Sequence, residues 1–169
     1  MTALSYAAFA LFPLLMAYAA ASDLLSMTIS NRVSILALAG FAIAAPMIGM
    51  DLSAVGQHLA AGGIVLAAGF FLFAMGWIGG GDAKLAAVAS LWLGLDFVPA
   101  FLVLSAVYGG MLTIAILVLR RRELPAFAIR QTWLFRLHDP SSGVPYGIAL
   151  SAAALLIFPQ TVWIALVAV

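Results

Sequence analysis

The chain contains no cysteine, two histidines and very little charge: 8% of its 169 residues are Asp, Glu, Lys or Arg. Without cysteine there is no disulfide framework, no thiol nucleophile and no thiolate metal site. So little charge excludes a water-soluble domain, in which about a quarter of the residues would be charged. The net charge of +1 says nothing about partners, and no nucleic-acid partner is expected. What fills the chain instead is apolar, with 66% hydrophobic residues and a mean hydropathy of +1.22. No soluble core could hide that much apolar surface. The composition implies an integral membrane protein in contact with the lipid bilayer, folded as a single domain over residues 1–169. The opening "MTALSYAAFALF" has no basic residue ahead of its apolar run, so it lacks the layout of a cleavable secretory signal and is expected to form a first membrane helix.

A spanning helix needs about 20 mainly apolar residues to cross roughly 30 Å of hydrocarbon. Candidate spans are Ala3–Ala21, Val33–Met50, Leu59–Ile78, a short one at Leu85–Leu95, Phe97–Leu119 and Val144–Val169. As one helix, Leu85–Leu119 would measure about 52 Å, too long for a single crossing. The chain is expected to turn at "GLDFVP", where glycine, aspartate and proline stand together. The fold expected is an all-α, polytopic membrane bundle of six helices. Charge supports that count. Six crossings put Arg32, Lys84, Arg120, Arg121, Arg122, Arg130 and Arg136, all the Lys and Arg present, on one side. Asp51, His58 and Asp96 fall on the other. Basic residues gather on the cytoplasmic face, so both termini are expected outside.

The segment "RRRELPAFAIRQTWLFRLHDPSSG" interleaves arginines with Phe127, Ile129, Trp133, Leu134, Phe135 and Leu137. That pattern predicts an interfacial helix on the cytoplasmic surface between the fifth and sixth spans, anchored on anionic lipid or gripping a substrate.

The same topology brings two acids to the cytoplasmic face. Asp23 follows the first span, and Asp82 follows Gly79, Gly80 and Gly81 in "GWIGGGDAKLA". An ionised carboxylate at membrane depth costs several kcal/mol unless paired, protonated or hydrated, so both are functional candidates. Asp82 could instead cap the helix that begins at Ala83, and Asp23 could be a solvated flank. A cap, however, needs no hinge of three glycines, whereas close backbone approach does. Two carboxylates within a few Å share a proton and titrate together, which is the chemistry of an aspartic protease. No cofactor or metal is expected, since neither acid has a histidine or a further acid at ligand spacing. Serine chemistry lacks a G-x-S-x-G elbow. Lys84 reads as a snorkelling, topology-setting cation or as one that tunes Asp82.

These residues resemble the type IV prepilin peptidases. "GGGDAK" is similar to the G-x-G-D signature of that family, with Gly79, Gly81 and Asp82 matching. "SDLLSMTISNRVS" is similar to the family segment D-x-R-x-x-x-I-P-N through Asp23, Ile29 and Asn31, and departs from it at Leu25 and Ser30. "VPYG", Val144 to Gly147, resembles the start of the family's last span. The short length resembles the small peptidases of tight-adherence (Flp) pilus systems. The resemblance implies catalytic Asp23 and Asp82 in a bacterial inner-membrane enzyme. Its partner would be a prepilin or pseudopilin, cut after glycine on the cytoplasmic side to remove a short basic leader. The insert of longer, methylating relatives is absent, so N-methylation is not assigned. The residues alone leave two alternatives open: a small proton- or cation-coupled transporter with a glycine-broken helix, and a non-catalytic subunit of a pilus or secretion machine. Leader-reading residues and oligomeric state are not legible.

Overall fold

The computed structural model describes residues 3–125 and 130–165, and within them the protein is entirely helical and turn, without strands. Helix α1 runs Ala3–Ser26, α2 Asn31–Met47, α3 Leu52–Ala74, α4 Gly80–Leu93 and α5 Val98–Arg120. A short α6, Thr132–His138, precedes α7, Tyr146–Ile157, and α8, Val162–Ala165. Local chemistry sets several of these boundaries. Asp51 caps α3 by accepting from the Ala54 amide at 2.7 Å, and Ser30 caps α2 by accepting from the Arg32 amide at 3.3 Å.

Helix α4 is the axis of the bundle. It packs most extensively on α3, and also on α7 and α2, while α7 lies against both α1 and α5. Small residues allow the α3–α4 approach: a Cβ on Gly62 would sit 3.1 Å from Leu91 Cβ, and one on Gly69 3.1 Å from Ala83 Cβ. This is how helices associate when lipid supplies no hydrophobic drive between them. The outward faces stay apolar, with Phe70 66% and Ile114 64% exposed. A face so apolar and so open belongs against lipid. Two of the described helical stretches, Leu52–Ala74 and Leu95–Arg120, are long and apolar enough to cross a membrane.

The turn expected at Gly94–Pro99 is present. Helix α4 ends at Leu93, Gly94 takes φ +87°, Leu95–Phe97 makes one 3-10 turn, and α5 starts at Val98. Two expectations need correcting. Asp23 does not follow the first helix, because α1 continues to Ser26 and keeps Asp23 inside its last turns. Nor is Val144–Val169 one helix: α7 stops at Ile157, Phe158–Gln160 tightens to a 3-10 turn, and Thr161 is extended. Pro159, lacking an amide hydrogen, cannot continue the ladder there. In the basic segment α6 covers only Thr132–His138, and Phe127 and Ile129 lie outside the described residues.

Candidate active site

The last turns of α1 carry Asp23, which is 5% exposed. The helix is closed just beyond it by Met27 in the left-handed region, φ +54°, with its amide bonded to the Asp23 carbonyl at 2.8 Å. A non-glycine residue in that conformation is strained and persists only where its surroundings hold it. Here hydroxyls do so. Ser22 Oγ donates to the Thr28 carbonyl at 2.9 Å, and Ser26 Oγ to the Ser22 carbonyl at 2.7 Å. The Asp23 side chain is fixed separately, across the bundle. The Gly147 amide at the start of α7 donates to Asp23 Oδ2 at 2.7 Å. A Cβ at 147 would lie 2.8 Å from that oxygen and 2.7 Å from Ile29 Cδ1, so any larger residue there would push both side chains aside.

The three glycines do different things. Gly79 is the N-cap residue of α4, extended at φ −73° and ψ 144°. Asp82 is therefore not the cap, contrary to the reading that treated it as one. It sits three residues on, in the first turn, with its carboxyl turned back over Gly79 and its amide backbone. Gly80 lies against the Phe73 ring at 3.3 Å from its would-be Cβ, and Gly81 against Ile29 Cβ at 3.3 Å. The run thus admits two neighbours to the backbone while leaving the Asp82 carboxyl at the positive end of the helix dipole.

Asp23 and Asp82 line one cavity of about 370 Å³, together with Gly79–Gly81, Met27–Ile29, Gly143 and Val144. They are close enough for the charge of Asp23 to act on the Asp82 carboxyl. Beside them Lys84 Nζ donates to Asn31 Oδ1 at 2.8 Å, tying the start of α2 to α4. The lysine thus reaches an amide oxygen and not a carboxylate. Among the described residues no three His, Cys, Asp or Glu side chains converge as a metal site would require. A buried acid and a half-buried one, interacting in an open, partly polar cavity, have the parts for acid–base work on a bound carbonyl.

The family model for type IV leader peptidases matches residues 10–114. The chain belongs to the type IV leader peptidase family. No significant match to a curated protein or to a solved structure accompanies it. The family is one of peptidases that act on prepilin-type precursors, and its matched region holds Asp23, Asn31, Gly79–Asp82 and Lys84.

Part of the peptidase's cavity wall, Gly143 and Val144, lies beyond that match, although Val144 opens the stretch that resembles the family's last span. Arg120, at the end of α5, donates through Nε to the Leu137 carbonyl at 3.0 Å and through Nη2 to the Ser142 and Gly143 carbonyls at 2.9 and 3.1 Å. One guanidinium thereby holds α6 and the loop whose Gly143 and Val144 face the acids. Arg136 donates to the Leu25 carbonyl at 3.2 Å, which ties α6 to the end of α1. Asp139 stabilises the same loop. The Ser141 amide and hydroxyl both donate to its Oδ1 at 2.8 Å, which holds its carboxyl below the usual carboxylate range. No spacing rule signals these partners; the cluster of basic residues at 120–136 was their only trace.

Proposed function

We propose that this peptidase is an aspartic endopeptidase that removes the short basic leader of Flp-like type IV prepilins, cutting after glycine at the cytoplasmic face of the bacterial inner membrane. The observation that carries this reading is the meeting of Asp23 and Asp82, from the end of α1 and the start of α4, in one cavity. Two carboxyls so placed share one proton. The ionised member takes a proton from a water molecule held between them, and the water oxygen bonds to the scissile carbonyl carbon. The protonated member donates a hydrogen bond to the carbonyl oxygen as negative charge develops there. Collapse of the tetrahedral intermediate breaks the C–N bond, and the proton taken from water passes to the leaving amine. The Gly147 amide and the backbone of Gly79 orient the two carboxyls throughout.

The membrane arrangement belongs to the same proposal: one domain with six crossings, α6 along the cytoplasmic surface, and both termini periplasmic. Two contacts support it. Arg120 and Arg136 bond backbone beside the acids, so the basic segment and the cavity occupy one end of the bundle. Basic residues mark the cytoplasmic side.

Co-expression with a prepilin tests the function directly by precursor mobility on a gel. The wild-type chain shortens the precursor, whereas Asp23→Asn and Asp82→Asn each leave it uncut. Continued processing by either variant would refute the two-aspartate mechanism.

A further inference from the structure

Asp82 borders more than the cavity it shares with Asp23. Asp82 also lines a second, strongly apolar space of about 310 Å³ that runs away from it between α3 and α5. Its walls mix short side chains, Ala68 and Gly69 on α3, Ala86 on α4 and Ala106 on α5, with larger apolar ones such as Leu72 and Leu102. Helices α3 and α5 rest on α4 and α7 but scarcely on each other, and α4 forms the floor between them. Beside it the Tyr146 ring of α7 is set directly against Gly109 of α5, where no Cβ would fit. Both walls are the helices long enough to cross a membrane, so the groove opens sideways into lipid.

We propose that this groove receives the apolar helix of the precursor, the segment directly following the scissile bond, entering laterally from the bilayer. The inference rests on the aspartic-peptidase reading above and adds the surface that recognises the substrate. The Gly and Ala positions in its walls let a guest helix approach closely there, and the larger apolar side chains offer it packing surface. Continuity with the acids decides the occupant. A second apolar groove of about 290 Å³ lies between α2 and α3, but it is headed by Lys84, whose ammonium is held by Asn31, and Asp82 does not line it. A helix in the α3–α5 groove delivers its polar end to Asp82; a helix in the other does not.

The absence of cysteine makes the test direct. Ala106→Cys and, as comparison, Leu38→Cys in the α2–α3 groove are each introduced into the full chain carrying Asp82→Asn, so that bound precursor is not consumed. The probe is a synthetic precursor with a basic leader, a glycine at the cleavage point and an apolar helix of about 20 residues carrying one cysteine. Mixed in liposomes and mildly oxidised, the probe should join Ala106→Cys at least roughly tenfold faster than Leu38→Cys, because docking raises the effective thiol concentration. Equal rates at both positions, preference for Leu38→Cys, or crosslinks only between two copies of the peptidase would each overturn the proposal. So would a groove that reacts with no protein thiol, as one filled by lipid would. If instead the Asp82→Asn chain shortens the probe, the catalytic reading itself has failed, and the two failures are told apart on one gel.

Discussion

The two ends of α4 are built on opposite plans. At its C-terminal end Trp92 is fully buried and stacked on Phe12 with ring centroids 5.2 Å apart and on Trp163 at 4.7 Å. Its indole donates to the Ala37 carbonyl at 2.9 Å, Trp163 donates to the Trp92 carbonyl at 2.6 Å, and His58 bonds the Leu91 carbonyl at 2.7 Å. At the N-terminal end there are glycines, a carboxyl and a cavity. One helix is thus clamped by aromatics at one end and presents a half-buried acid to a cavity at the other. The aromatic end is held by packing, whereas the acid-bearing end is held by hydrogen bonds from Gly147, Arg120 and Arg136.

The sharpest way to break that contrast is at the acids. Asp23→Asn or Asp82→Asn should lower precursor cleavage by about three orders of magnitude, the scale of general acid–base catalysis, while thermal melts in detergent stay near wild type. The opposite end should respond in the opposite sense. Trp92→Ala should cost about 3–5 kcal/mol of stability, read as an earlier melt, with turnover per folded molecule retained. Next comes Gly147→Ala. Its Cβ displaces the Asp23 carboxyl, and a shift of this kind costs roughly 100-fold in kcat, measured with little change in KM. The pH profile sharpens the claim that the acids act together. Cleavage should fall on both sides of an optimum, since acid protonates both members and alkali ionises both. Smallest of all is Lys84→Ala, which removes the bond to Asn31 and should cost about 1 kcal/mol or less at this exposed site.

The same contrast explains what could be read in the sequence. Asp82, its glycines and Asp23 stood out because charge and hinge residues are rare in an apolar chain, and the Gly94 turn because Gly, Asp and Pro cluster there. The partners of those residues did not stand out. Gly147 as the donor to Asp23, and Arg120 and Arg136 as clamps on the surrounding backbone, are contacts across 124, 22 and 111 positions. In a helix that is apolar on every side, periodicity does not reveal which face meets which neighbour. The continuation of α1 to Ser26 was hidden for a related reason. Ser22, Asp23 and Ser26 look like the start of a loop, yet the two serine hydroxyls bond backbone locally and let the helix run on.

The central claim is that Asp23 and Asp82 face one another across the water that cuts the precursor. It is tested most directly by placing cysteines at both positions of the otherwise cysteine-free chain and treating the membranes with a short bifunctional thiol reagent. The account predicts an intramolecular bridge between Asp23→Cys and Asp82→Cys that slows when a prepilin precursor occupies the cavity. Two thiols that each react singly in the folded protein and are never joined would contradict it.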